Sequence, residues 1–136
     1  MTFNELMFLD GAMGTMLQSR GMKPGDNPCV FGAENPDIIA DIHREYFKAG
    51  AQAVLSNTFG ASVPKMKNSG MTCEEVIFAA VSSAKEAAKP FGGKAALDVG
   101  PLGELLEPLG SLSFETAVEY FKTQMIAGEK AGADFI

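Results

Sequence analysis

The chain alternates short, wholly apolar runs with longer stretches whose apolar residues recur every three or four positions. Leu6-Met-Phe-Leu9 is a continuous apolar run closed by Asp10 and the turn Gly11-Ala-Met-Gly14. It reads as a strand buried on both faces, as parallel sheets require. Thr15 to Arg20 reads as a short helix, followed by a loop carrying Gly21, Pro24, Gly25, Pro28 and Gly32. Asn35 as N-cap and Pro36 in the first turn open a second helix. Ile38, Ile39, Ile42 and Tyr46 share one of its faces, opposite Asp37, Asp41, Arg44 and Lys48. Gly50 can close that helix in the left-handed conformation, and Ala51 to Ser56 then reads as a buried strand ending at Asn57-Thr58.

Thr72 and Glu75 form a capping-box signature for a third helix, which runs through Val76, Ala80 and Ala84 until Pro90 stops it. Lys94 to Val99 is a third strand, leading into the loop Gly100-Pro-Leu-Gly103. Ser113 caps a fourth helix bearing Phe114, Val118, Phe121, Met125 and Ile126; Gly132 follows, and Ala133-Asp-Phe-Ile136 opens a fourth strand. Lys48-Ala-Gly-Ala51 and Lys130-Ala-Gly-Ala133 repeat one another at the helix-to-strand turn. This order predicts an α/β fold with parallel strands alternating with helices, either doubly wound or closed as a barrel. Equivalent strands here lie roughly 40 residues apart, a generous βα unit, and a (β/α)8 barrel takes about 250 residues. The 136 residues here hold about half of that, and Ile136 falls inside a predicted strand. The expectation is therefore an incomplete domain over residues 1–136; the alternative is a small α/β binding module complete in itself.

Composition narrows the partners. Asp and Glu number 17 against 11 Lys and Arg, a net charge of -6, and such a surface repels nucleic-acid backbones. No apolar run approaches the ~20 residues of a membrane helix. The start Met1-Thr-Phe-Asn-Glu5 lacks the basic and apolar regions of a secretory signal. Two cysteines in unrelated contexts point to a reducing cytoplasm and against a disulfide framework.

Ligands of parallel α/β folds bind beyond the carboxyl ends of the strands. Three segments fall there: Asp10 to Thr15, Asn57 to Ala61, and Asp98 to Gly103. Asp10 followed by the amides of Gly11 to Gly14 suits a zwitterion, with ammonium on the carboxylate and carboxylate on the amides. Equally, Asp10 can be a helix cap and the glycines a turn. His43, inside a helix, reads as a packing or surface residue rather than a base. Cys29 reads as an ordinary thiol, and Cys73, just inside the third helix, as a thiol with mildly lowered pKa. Gly100 to Gly103 lacks the Lys-Ser/Thr ending of a phosphate-binding loop.

Asp10-Gly-Ala-Met-Gly-Thr15, Asn57-Thr-Phe-Gly60 and Gly100-Pro-Leu-Gly-Glu-Leu-Leu-Glu-Pro-Leu-Gly110, with Ile42-His-Arg-Glu-Tyr46 and Ala49-Gly-Ala51, together resemble the homocysteine S-methyltransferase family. Among its members they resemble most the homocysteine-binding domain of cobalamin-dependent methionine synthases. The resemblance implies that the chain is the N-terminal half of a (β/α)8 TIM barrel. It further implies homocysteine as methyl acceptor, zinc held by three cysteine thiolates, cobalamin as methyl carrier, and folate and cobalamin domains as partners. Betaine or S-methylmethionine is the alternative donor. The substrate-binding role carries over onto Asp10, onto the amides of Gly11, Ala12 and Met13, and onto Asn57 and Thr58. The family's zinc cysteines have no counterpart here: Cys29 and Cys73 match none of their positions.

Overall fold

The computed structural model describes residues 6–136, so the first five residues of the 1–136 assignment lie outside it. Strands β1 (Ala53–Leu55) and β2 (Lys94–Ala96) pair in parallel, Ala53 opposite Lys94 and Leu55 opposite Ala96. Two further extended segments flank them through single parallel bridges, Leu9 to Ala53 and Phe135 to Ala96. Four segments thus lie side by side in the order of the sequence. Each has its carboxyl end at the same edge.

Helices α1 (Gly14–Ser19), α2 (Pro28–Glu34), α3 (Pro36–Lys48), α4 (Val63–Met66), α5 (Cys73–Ala88) and α6 (Phe114–Ala131) fill the connections. Helix α5 packs against both α3 and α6. Its buried stripe of Val76, Ile77, Ala80, Val81, Ala84 and Ala88 forms the centre of the core. The capping box is complete, the Thr72 hydroxyl accepting from the Glu75 amide and the Glu75 carboxylate from the Thr72 amide. Ser113 likewise accepts from the Thr116 amide at the start of α6. The two Lys-Ala-Gly-Ala turns share one conformation. Gly50 and Gly132 have φ of 107° and 88°, and each following alanine donates to the carbonyl five residues back, Ala51 to Tyr46 and Ala133 to Gly128. Only a glycine enters that region without a Cβ penalty.

Several expectations are corrected. The Leu6–Leu9 run is an edge rather than a buried strand: Leu6, Phe8 and Leu9 are exposed, because among the described residues only β1 flanks it. The stretch from Gly21 to Asn35 is not all loop. Asn27 accepts from the amides of Cys29 and Val30 and Pro28 begins α2, a cap-plus-proline signal hidden among turn residues. The Asn35 side chain does not cap α3 but donates to the Phe31 carbonyl, finishing α2 instead. On α6 the buried face is Ala117, Gln124, Ala127 and Gly128, while Phe114, Val118, Met125 and Ile126 are exposed.

Small residues win that face because the helix lies close on Leu97, just past β2. A Cβ at Gly128 would stand 2.6 Å from Leu97, itself buried in the core. Gly128→Val is expected to lower the unfolding free energy by about 1–3 kcal/mol through overpacking, read from urea denaturation; an unchanged midpoint would show that α6 can retreat from Leu97.

Candidate functional site

The sheet delivers three loops to one edge. The first leaves Leu9, whose neighbour Asp10 donates its amide to the Ala53 carbonyl at 3.1 Å. The next step of the ladder is made by a side chain: the Leu55 amide donates to Asp10 Oδ2 at 3.1 Å. The carboxylate is thereby fixed at the strand end with its side chain only 2% exposed. Its other oxygen, Oδ1, is buried without a hydrogen-bond partner among the described residues. Burial pushes the Asp10 carboxyl up from its ordinary 3.8 to about 6, against the pull of the Leu55 amide and its own, and the charge of Asp98 pushes the same way.

Beyond Asp10 the chain turns through Gly11, Ala12 and Met13 into α1. The Tyr46 hydroxyl donates to the Ala12 carbonyl at 2.6 Å, and its ring lies so close that a Cβ at Gly11 would stand 3.1 Å from it. Tyr46, read from the sequence only as part of an apolar helix face, therefore braces this turn from α3. Among the described residues the amides of Gly11, Ala12 and Met13 donate to no protein acceptor. A hollow of about 540 Å³ runs along Phe8, Leu9, Asp10, Gly11, Tyr46 and Ala51.

The second and third loops are tied together. Thr58 donates its hydroxyl to the Asp98 carbonyl at 2.7 Å, and the Ser56 hydroxyl, 2.8 Å from that of Thr58, accepts from the Asp98 amide. Asn57 donates to the Pro28 carbonyl at 2.7 Å, bringing α2 against the end of β1. A side chain at Gly32 would collide with that Asn57 amide. Asn57 and Thr58 thus stand at the strand ends beside Asp10, yet both are buried and their donated hydrogens hold the loops. Gly100 is equally constrained, since a Cβ there would overlap the Phe59 carbonyl.

The remaining polar residues divide sharply. His43 lies on α3, fully buried, with neither ring nitrogen hydrogen-bonded among the described residues and Nδ1 3.9 Å from Asp10 Oδ2. Burial pushes its imidazole down from 6.5 to about 4, so it is neutral at pH 7. Cys73 does not have the lowered pKa expected of a helix N-terminus. Its thiol is buried, donates to the Ala61 carbonyl, and is pushed by that burial up to about 12. Burial raises Cys29 as well. Among the described residues no group of three His, Cys, Asp or Glu side chains could hold a metal ion, and two protonated, core-packed thiols do not fit zinc.

Comparison with known proteins places this geometry. Residues 7–136 match the family model described as Homocysteine S-methyltransferase. The methionine synthase of Mycobacterium tuberculosis is 40% identical over 67 residues, 45% of this chain and 6% of that protein. Betaine–homocysteine S-methyltransferase 1 of Danio rerio is 29% identical over 137 residues, covering 97% of this chain and 34% of that protein. The solved structure of the homocysteine methyltransferase MmuM from Escherichia coli, in a metallated form, superposes with a TM-score of 0.80 at 25% identity, over 96% of this chain and 52% of that one. The chain thus spans about half the length of that solved structure and less of the two curated relatives.

The two buried titrating groups generate a pH signature. Protonated Asp10 favours the folded state, an effect complete below 3.8 and lost as pH rises through about 6. Neutral His43 also favours the folded state, an effect present above 6.5 and lost as pH falls through about 4. At about 1.4 kcal/mol per pKa unit each amounts to roughly 3 kcal/mol, and over this window they oppose. Asp10→Asn leaves only the histidine contribution. Relative to wild type, the variant is expected to lose about 3 kcal/mol of stability between pH 7 and pH 4, measured by urea titration at both values. A difference that stays constant with pH would show that Asp10 titrates as an ordinary carboxylate.

Proposed function

The chain belongs to the homocysteine S-methyltransferase family, and from that premise we propose that it supplies the amino-acid end of a homocysteine site. The observation that carries this is Asp10: a desolvated carboxylate with one oxygen held by Leu55 and the other buried without a partner among the described residues. Keeping such a group ionised costs stability. An ammonium group delivered to Oδ1 offsets that cost and draws the carboxyl pKa back down. The adjacent amides of Gly11, Ala12 and Met13 are donors for the substrate carboxylate, so the two charges of an amino acid are met by one turn. Asn57 and Thr58 complete the mouth at the end of β1. In this reading they shape it through the loops they tie.

We further propose that the sequence-ordered parallel segments are the first half of a (β/α)8 barrel, the order that winding in one direction produces. The reaction is methyl transfer to the homocysteine sulfur, forming methionine. Similarity to methionine synthase supports 5-methyltetrahydrofolate as donor, cobalamin as carrier, and folate and cobalamin domains as partners. Zinc, which would turn the sulfur into a thiolate, finds no ligand set among the described residues, so its site is assigned to other residues of the whole protein. The present residues bind and orient; they do not activate the sulfur.

Asp10→Asn in the complete protein tests the assignment. Asn keeps the shape and can still accept from Leu55, but it loses the charge. Losing one charge-assisted hydrogen bond in an enclosed site costs about 1.5–3 kcal/mol, so homocysteine binding weakens roughly ten- to a hundredfold by calorimetry. Affinity near that of wild type would return Asp10 to a purely structural role.

A further inference from the structure

The most unusual group outside the proposed contacts is His43. On α3, Ile39 lies one turn before it and Ile42 directly precedes it, both buried in an apolar cluster that includes Leu17. A residue needed only to fill that space would be served by leucine or phenylalanine. Instead a fully buried imidazole stands there, both nitrogens without partners among the described residues, facing a carboxylate whose own outer oxygen is likewise without one. Buried polar groups in native proteins are nearly always paired, so two orphans side by side demand a reason. At 3.9 Å, Nδ1 and Asp10 Oδ2 are just beyond hydrogen-bond distance.

We propose that His43 is a positioning residue for Asp10, donating its Nδ1–H to Oδ2 when an amino-acid ammonium engages Oδ1. This rests on the reading of Asp10 given above and adds a residue to it. The pair is not an ion pair, because His43 is neutral at pH 7. A neutral ring has one proton to give, and a facing carboxylate selects the tautomer that carries it on Nδ1. Oδ2 then receives two donors, the Leu55 amide along the sheet and His43 from α3. The carboxyl plane is fixed, and Oδ1 is left for the substrate. Ammonium binding makes Asp10 fully ionised, which strengthens the attraction that draws the imidazole in.

The test uses the complete protein with ¹⁵N-labelled histidine. The His43 resonance is identified as the one missing from His43→Leu. Long-range ¹⁵N–¹H spectra of the ligand-free protein are expected to show the Nδ1–H tautomer, and homocysteine is expected to shift that proton downfield in wild type but not in Asp10→Asn. His43→Leu keeps the core filled and should raise the homocysteine dissociation constant about five- to tenfold. His43→Asn, whose amide nitrogen can occupy the Nδ1 position, should restore affinity to within about twofold of wild type, a rescue that mere packing would not give. An Nε2–H tautomer, or wild-type affinity in His43→Leu while Asp10→Asn binds weakly, would overturn the proposal and leave the amino-acid site standing. Wild-type affinity in both variants would remove the site and the proposal together.

Discussion

The arrangement depends on one hydrogen bond that a side chain makes in place of the backbone. The Leu55 amide, next in line on the β1 ladder, donates to the carboxylate of Asp10. That bond ends the pairing of the first extended segment with β1. It also holds a carboxylate where the fold excludes water, its side chain only 2% exposed. A carboxylate at a surface turn would have an ordinary pKa; here burial raises it, and the Leu55 amide holds one oxygen. The cost is tolerable because the amides of Asp10 and Leu55 lower what burial raises.

Everything around this bond limits motion. Tyr46 holds the turn after Asp10 by its carbonyl, Thr58 holds the loop after β2, and Asn57 holds α2. Glycines at 11, 32 and 100 allow these approaches, since each faces an atom where a Cβ would crowd or overlap. Elements that come from four stretches of sequence are thereby fastened at one edge. The polar side chains that lie there mostly bind protein and not solvent, which is how a site on loops acquires the rigidity of its scaffold.

The electrostatic balance is also local. Asp10 and His43 each resist their charged form, and the direction of each resistance is opposite with respect to acid. The result is a buried pair in which the carboxylate carries the only charge near neutrality. An overall acidic protein would not attract a negatively charged ligand by its field. A zwitterion with its ammonium leading is a suitable visitor, in keeping with membership of the homocysteine S-methyltransferase family.

Local rules determined the elements that local forces make. The Thr72–Glu75 capping box, the Ser113 cap, the Pro36 start and the two Lys-Ala-Gly-Ala turns were legible because each is a bond or a φ angle formed within five residues. The alternation of strand and helix and the candidate Asp10 turn were legible from hydrophobic periodicity, and the family resemblance came from short motifs in order. What the sequence by itself could not decide was burial. Leu6, Phe8 and the large apolar residues of α6 look like core but are exposed, because burial depends on which neighbour is present and not on the residue. Cys73 sits at a helix start, yet packing raises its pKa where the helix end alone would lower it. His43 was one polar position on an apolar helix face until the sheet brought Asp10 within 3.9 Å of it, across 33 residues of chain. Desolvation and long-range proximity belong to the assembled fold, and those two quantities single out an aspartate in a glycine turn as the candidate site.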